Sequence, residues 1–478
     1  MSLRKPTLYR YSRQIGAIRS FKKYVIEAIA GSDRDFTKID ISKAIFLLSV
    51  PMILEMVMES VFAVVDIFFV SRLGADAVAM VGITESLMTI VYSIGIGLST
   101  GTMALIARRI GEGNKEQANR VTYHAVLLGV AVSFFIAVPG ILWAEEILVL
   151  MGASARVAAD AAAYTGIMLG SNAVIMLLFI INAAFRSAGD AAVSMRVLWM
   201  ANLMNIILDP CLIFGLGPFP EMGLKGAAIA TVIGRGMAIV YQFYLLFAGK
   251  KRIHFRNMVW RLDLSIMKRL INLSVGGIGQ SLIATSSWII LVRIIAVFGN
   301  AVLAGYTIAI RIILFVLLPA FGLSNAAGTL VGQNLGAKQP KQAEKSVWQT
   351  GIINMVFMGL IAILFISFPG SFVRLFIDDE TVLQAGIICL RFISYGFLFY
   401  ALGMVLVQAF NGAGDTMTPT KINLICFWLL EIPLAYLLAM GLDMKEQGVY
   451  FAIVISESMT AILGLYIFLR GKWKLKTI

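Results

Sequence analysis

The sequence predicts an all-α, polytopic membrane protein, and three observations support this fold class: composition, long apolar runs and an internal repeat. Hydrophobic residues make up 59% of the 478 residues, whereas charged residues make up only 14%. So few charged groups leave too little polar surface to cover a soluble globule of this length. The chain therefore belongs in a lipid bilayer.

Twelve apolar runs are long enough to cross a bilayer as helices, because a span needs about 20 predominantly apolar residues. Lys and Arg are concentrated in the two tails and in the even-numbered connections between these runs. This bias predicts a multi-pass protein of the cell (inner) membrane with both termini in the cytoplasm. The predicted spans, numbered 1 to 12, are 42–71, 77–107, 117–142, 160–185, 191–215, 224–248, 266–298, 301–334, 344–368, 381–409, 417–440 and 447–469.

The two halves of the chain repeat each other. Phe185-Arg-Ser-Ala-Gly-Asp190 returns as Phe410-Asn-Gly-Ala-Gly-Asp415, at an offset of 225 residues (410 − 185). Six spans in each half return the chain to its starting side, so the halves are parallel repeats, as in a known class of transporters. The same offset relates three pairs of glycines: Gly74 and Gly299, Gly97 and Gly322, Gly111 and Gly336. The predicted organisation is a basic N-terminal segment 1–41, a six-helix lobe 42–248, a linker 249–265, a second six-helix lobe 266–470 and a tail 471–478.

Several function classes are excluded by what the sequence lacks. Three cysteines and two histidines show no disulfide or metal-ligand spacing, and no phosphate-binding Gly-x-x-x-x-Gly-Lys-Ser/Thr loop is present. The net charge of +13 is spread over several loops, without the aromatic-interleaved stripe of a nucleic-acid-binding surface. We therefore expect a protein that binds no nucleic acid, and that is driven by an ion gradient or is passive.

Span 1 carries three acids, Glu55, Glu59 and Asp66. On a helix Glu59 lies about 40° and Asp66 about 20° round from Glu55, so the three form one stripe. That stripe cannot face lipid, because a charge in hydrocarbon costs at least about 2.5 kcal/mol. Glu55 and Glu59 are candidate cavity acids; alternatively they are wetted, or paired with Lys43, near the start of the span.

Span 5 places Asn205 and Asp209 four residues apart, and hence on one helix face, immediately before Pro210. The proline frees the carbonyl of Ile206 from its helical hydrogen bond. Carboxylate, amide and carbonyl oxygens suit Na⁺, or a network that binds and releases a proton. The alternative is that Asp209 only caps a helix broken at Pro210.

Two motifs add to the six-plus-six pattern and the twin Gly-Asp turns: Val64-Val-Asp-Ile-Phe-Phe-Val-Ser-Arg-Leu-Gly74 and Ala107-Arg-Arg-Ile-Gly-Glu-Gly-Asn-Lys-Glu-Gln-Ala118. Together these features resemble the multidrug and toxic compound extrusion (MATE) family over about residues 42–470. The resemblance implies a secondary active exporter of amphiphilic organic cations, exchanged for H⁺ or Na⁺. It also implies no enzyme activity and no cofactor, small-molecule organic cations as substrates, and a monomer in the bilayer.

The DinF-like branch of that family has a cation site made by an aspartate of span 1 and an Asn-x-x-x-Asp pair of span 5. By resemblance, Asp66, Asn205 and Asp209 form the coupling-ion site here and are the candidate Na⁺ ligands. The branch adds a tyrosine and an asparagine of span 4, which Tyr164 and Asn182 match; both could instead be interhelical hydrogen-bond partners. Span 7 of this chain contains no Asp or Glu, which departs from branches that use an acid there.

Two competing functions stay open at this level. One is a lipid-linked oligosaccharide flippase of the same superfamily, which usually has more spans and a basic cavity; Arg235, Arg293 and Arg311 keep that reading open. The other is a non-transporting membrane receptor or scaffold, against which the doubled architecture and the intramembrane acids argue. Dye efflux from vesicles distinguishes all three.

Overall fold

The computed structural model describes residues 22–256 and 258–478, so the predicted basic segment 1–41 is described from residue 22 onwards. Within those ranges the chain forms helices joined by short connections and contains no β-strand. Ten of the described helices are long and apolar enough to cross a membrane, and a bent pair forms an eleventh. The first predicted span is a further helix of 31 residues, Ile41–Ser71. The polytopic all-α fold class is confirmed.

Each predicted span corresponds to a helix or to a pair of consecutive helices. In chain order their bounds are Ile41–Ser71, Ala75–Gly111, Lys115–Leu142, Ala155–Gly170 with Asn172–Ala188, Ala191–Phe214, Leu224–Ala248, Leu264–Ala296, Asn300–Gly336, Pro340–Ser367, Glu380–Ser394 with Phe397–Ala413, Met417–Gly441 and Lys445–Leu469. Shorter helices cover residues 22–30, Ala144–Leu150, Pro369–Val373 and Lys472–Leu475.

Side chains that accept hydrogen bonds from free backbone N–H groups fix the starts of several spans. Such caps begin spans 1, 3, 7 and 10, and they are Asp40, Asn114, Asp263 and Asp379. Each cap stands two or three residues before the predicted start of its span, so the predicted starts agree with the structure to within a few residues.

The repeated Gly-Asp turns adopt the same conformation in both lobes. Gly189 ends span 4 with φ 94°, and Gly414 ends span 10 with φ 83°. Glycine reaches this left-handed conformation without strain. In each turn the aspartate N–H donates to a phenylalanine carbonyl, at 2.8 Å from Asp190 and 2.9 Å from Asp415. The sequence repeat is therefore a structural repeat.

The two lobes contact each other at glycines that the 225-residue offset relates. A Cβ added to Gly111 would lie 1.9 Å from the backbone oxygen of Gln333, and one added to Gly336 would lie 2.2 Å from that of Arg108. The 225-residue offset exchanges these two contacts, since it relates Gly111 to Gly336 and Arg108 to Gln333. A pseudo-twofold axis between the lobes therefore passes close to both contacts.

A second exchanged pair lies deeper along the same interface. A Cβ on Gly97 would lie 2.5 Å from the backbone nitrogen of Ile278, and one on Gly322 would lie 2.9 Å from the backbone nitrogen of Ile53, which the same offset relates to Ile278. Glycine is needed at these positions because the neighbouring backbone occupies the space of a side chain.

These contacts all lie in the halves of spans 1, 2, 7 and 8 that point towards the inter-lobe linker, the face called the linker side below. On that face Arg252 of the linker donates to the carbonyls of Ser32 and Ala188 at 2.8 and 2.9 Å. Arg108 at the end of span 2 donates to the carbonyl of Lys476 in the tail. The glycine contacts and the Arg108–Lys476 hydrogen bond therefore hold the lobes together on the linker side, whereas Arg252 attaches the linker to the first lobe.

Three spans are less regular than predicted. Span 10 bends by 56° between its two helices, at the Tyr395-Gly396 step, where glycine offers little resistance to a kink. Span 4 is interrupted at Ser171, whose hydroxyl donates to the Ile167 carbonyl at 2.6 Å. Span 11 contains two π-helical stretches, Leu424–Glu431 and Leu437–Gly441. The predicted domain boundaries stay a prediction.

Candidate ion-coupling site

Asp66 and Asp209 come together inside the first lobe. Asp209 of span 5 is fully buried, whereas Asp66 of span 1 is partly buried. The two carboxylates are close enough to repel each other electrostatically. The hydroxyl of Tyr164, on span 4, is within electrostatic range of both. Asp66, Tyr164 and Asp209, from spans 1, 4 and 5, therefore share one region of the first lobe, and their role in binding the coupling ion stays a prediction.

Asn205 links Asp209 to span 6. With its amide oriented to satisfy both neighbours, the Asn205 nitrogen donates to Asp209 Oδ2 at 2.8 Å, and its oxygen accepts from Thr231 Oγ1 at 3.0 Å. The span 5 helix continues through Pro210 to Phe214. Asp209 therefore lies inside a continuous helix and does not cap a helix end.

Glu85 of span 2 is a fourth member of this group that the sequence reasoning missed. It is partly buried and lies within electrostatic range of Asp66 and Arg235. The Glu85 carboxylate is also within electrostatic range of the Tyr164 hydroxyl. The rule that an acid within a span is a functional candidate would have found it, since Glu85 stands inside the predicted span 77–107.

Arg235 of span 6 provides positive charge beside these acids, and it shares that charge with Glu59. Its guanidinium lies 3.9 Å from Glu59 Oε1 and is within electrostatic range of the Tyr92 hydroxyl. It also lies over the Phe62 ring, 5.6 Å from the centroid. Glu59 additionally accepts from Asn202 Nδ2 at 3.1 Å. Glu59 is thus held by Arg235 and Asn202 and is not paired with Lys43.

Glu55 forms an ion pair with Arg186 of span 4, with Oε1 2.6 Å from Arg186 Nη1. The glutamate is 1% exposed, and its Oε2 has no hydrogen-bond partner among the described residues. Lys43, the partner considered from the sequence, instead lies over the Tyr24 ring. The acid stripe of span 1 therefore faces the lobe interior, where each member meets different neighbours.

Asn182 does not join the group around Asp209. Its Oδ1 accepts from Gln242 Nε2 at 2.7 Å, and its carbonyl accepts from Ser194 Oγ at 3.0 Å. Gln242 stands eleven residues beyond Thr231 on span 6 (242 − 231), which is about 16 Å along a helix. Asn182 lies in a separate interhelical hydrogen-bond network nearer the linker side.

The group defined by Asp66, Glu85 and Asp209, called the acid group below, carries more negative than positive charge. Its nearest base, Arg235, is shared with Glu59, and Asp209 and Asp66 have no base within ion-pair distance in the described ranges. Binding a proton or a small cation relieves this imbalance. The described residues contain no set of three or more His, Cys, Asp or Glu side chains arranged to hold a metal ion. A Na⁺ ion here would accordingly depend on the Asn205 amide and backbone carbonyls as additional ligands.

Two parallel six-span lobes, in contact on one side and with buried acids within a lobe, are typical of a membrane transporter. A family model described as MatE matches residues 51–211 in the first lobe and 278–437 in the second. The chain belongs to the MatE family, and it is a transporter, not an enzyme.

Individual relatives match almost the whole chain at low identity. A probable multidrug resistance protein NorM of Thermotoga maritima is 24% identical, over 92% of this chain and 94% of the relative. A FAD transporter of Shewanella oneidensis is 28% identical, over 89% of this chain and 94% of the relative. A solved multidrug resistance MATE family transporter in an outward-facing conformation has a TM-score of 0.86 and 24% identity, covering 92% of this chain and 98% of that one. The structural match shows the fold.

Proposed function

We propose that the chain exports amphiphilic organic cations in exchange for H⁺ or Na⁺, and that the ion binds at Asp66, Asn205 and Asp209. The observation that carries this proposal is the fully buried Asp209 carboxylate, held by Asn205 and opposed by Asp66. A buried carboxylate without a basic partner is costly, and a bound cation or proton removes that cost. The relative named as a multidrug resistance protein supports the substrate class.

Ion binding changes the balance between two arrangements of the lobes. Neutralising the acid group alters the packing of spans 1, 2 and 5, and spans 1 and 2 also carry the linker-side contacts with the second lobe. A ligand shifts such an equilibrium by its difference in affinity for the two arrangements. With the linker in the cytoplasm, ions entering from outside drive the exchange that releases the organic cation outwards.

The energetics depend on stoichiometry. Exchanging one monovalent ion for one monovalent organic cation moves no net charge, so it uses only the ion gradient, about 1.4 kcal/mol for each tenfold difference. Two ions per organic cation would add about 2.3 kcal/mol for each 100 mV of membrane potential.

Alternative substrates are less well supported. The FAD transporter relative raises a dianionic dinucleotide as a substrate, but the acid group of the first lobe would repel its phosphates. The flippase alternative relied partly on the positive charge of Arg235. That charge already faces Glu59 and Tyr92 within the first lobe. Assignment to the DinF-like branch belongs to this proposal and rests on the match of Asp66, Asn205 and Asp209. The monomeric state stays a prediction from the family resemblance.

The proposal is tested in reconstituted vesicles with ethidium as the organic cation. A tenfold pH gradient and a tenfold Na⁺ gradient, each with the ion more concentrated inside, are imposed separately. We expect one of them to drive ethidium uptake, which identifies the coupling ion. If neither gradient raises uptake above that of protein-free vesicles, exchange of organic cations is wrong; FAD uptake in the same vesicles would favour the dinucleotide.

A further inference from the structure

The second lobe encloses a cavity of about 300 Å³ between spans 7, 8, 10, 11 and 12. Its walls are mostly apolar and include several aromatic side chains. Pockets of this kind, apolar with a few convergent polar groups, are the usual form of small-molecule sites. The side chains that matter for its chemistry are Trp288, Tyr306, Tyr400, Phe427, Glu431 and Glu457.

Two carboxylates face this cavity without a positive partner. Glu431 is 5% exposed and accepts from Ser287 Oγ at 2.7 Å. Glu457 is partly buried and lies beside Tyr400 in the cavity wall. The two acids are within electrostatic range of each other, and no Lys, Arg or His is among the described residues of the cavity wall. The Ser287 hydroxyl orients Glu431 but supplies no compensating charge.

The wall chemistry selects an organic cation over an inorganic one. A metal ion needs oxygen ligands on several sides, whereas most of this wall is apolar. Aromatic rings attract a cation at their faces and also bury apolar groups of the same ligand. The volume lies at the small end of the range for ligand pockets. A compact, singly charged aromatic cation fits both the charge and the surface of the cavity.

The repeat shows where this cavity lies relative to the first-lobe site. The two segments that match the family model end at 211 and 437, which is an offset of 226 residues (437 − 211) in this region. That offset relates Asn205 to Glu431. Span 6 and span 12 are offset by 221 residues at both ends (445 − 224 and 469 − 248), so Glu457 stands in the turn that holds Arg235 in the first lobe. The second lobe thus has carboxylates where the first lobe has the Asn205 amide and, one turn away or less, the Arg235 guanidinium.

We propose that the exported organic cation binds in this second-lobe cavity between Glu431 and Glu457, while the coupling ion binds in the first lobe. The inference rests on the proposed function and adds the location of its substrate. Ion and substrate then do not compete for one carboxylate. Coupling passes through the relative arrangement of the lobes, whose contacts the ion-bound lobe controls.

The test is equilibrium binding of ethidium to the purified full chain at fixed pH, measured by fluorescence anisotropy. Glu431→Gln combined with Glu457→Gln removes both charges and keeps the side-chain shapes. Val407→Phe, at another position in the wall, fills part of the cavity and leaves the charges intact. Glu380→Gln is the matched control, because Glu380 is exposed and lies outside the cavity. The melting temperature of each variant reports whether it is folded.

We expect the double variant and Val407→Phe each to weaken ethidium binding at least tenfold, with Glu380→Gln unchanged. Asp209→Asn should bind ethidium within threefold of the wild type although it no longer exports it. Wild-type affinity in either cavity variant, or an equal loss in Asp209→Asn, overturns the proposal. Failure of the proposed function would appear differently, as ethidium binding that depends on Glu431 and Glu457 without gradient-driven transport.

Discussion

The approach of Gly111 to Gln333 predicts how a single methyl group should act on the whole transporter. In Gly111→Ala the new Cβ would lie 1.9 Å from a backbone oxygen, whereas ordinary contacts begin at 3.4 Å. The lobes must therefore separate by about 1.5 Å at this point, because the Gln333 carbonyl cannot rotate away as a side chain could. Overpacking of this kind costs about 1–3 kcal/mol. That cost corresponds to a shift of roughly 5- to 150-fold away from the arrangement closed on the linker side.

The shift can be measured by distances between spin labels on cysteines at Glu116 and Lys341, in a chain whose native cysteines are replaced. Both positions are exposed on the linker side, one in each lobe, and the repeat relates them. Gly82→Ala is the control: it makes the same change within span 2, where the added Cβ meets nothing within 4 Å. We expect a longer distance in Gly111→Ala only. A distribution equal to that of the wild type would refute the steric account of lobe closure.

Three further predictions concern the membrane topology, the Asp66 carboxylate and the Glu55–Arg186 ion pair. A cysteine at the exposed Arg256 should resist an impermeant thiol reagent in intact cells, because the linker is predicted to be cytoplasmic; ready labelling would contradict this. Asp66→Asn should retain ethidium binding and lose gradient-driven export, and export at the wild-type rate would exclude Asp66 from coupling. Arg186→Gln should destabilise the protein by about 3–5 kcal/mol, because it leaves Glu55 buried and unpaired. Adding Glu55→Gln should recover much of that loss of thermal stability; an additive loss would argue against the ion pair.

Most of the fold could be predicted from the sequence because the residues that determine each helix lie within it or directly before it. Apolar length fixes the spans, and capping residues such as Asp40 and Asp263 fix their starts. The repeat offset, read from four short matches, related Gly111 to Gly336 before their contacts were known. The 56° bend of span 10 and the π-helical stretches of span 11 were not predictable in this way, because they depend on packing between helices.

The site was only partly predictable for a similar reason. Asn205 and Asp209 lie on one helix face, so their spacing predicts that they meet, and they do. No sequence spacing predicts a contact between different spans. The Arg186–Glu55 ion pair, for example, joins residues 131 positions apart. Asn182 illustrates the converse, since a polar residue in the right span lies at the wrong depth and hydrogen-bonds with Gln242.

In the proposed mechanism, occupancy of the first-lobe carboxylates drives export, so Asp209→Asn should abolish it. The amide keeps the shape of Asp209 and removes its charge; Asp160→Asn, at an exposed position on span 4, is the matched control. The measurement is ethidium uptake into vesicles driven by whichever ion gradient powers the wild type, with equal amounts of each folded protein. We predict that uptake falls to the protein-free level in Asp209→Asn and is unchanged in Asp160→Asn. Gradient-driven uptake by Asp209→Asn at the wild-type rate would contradict the account.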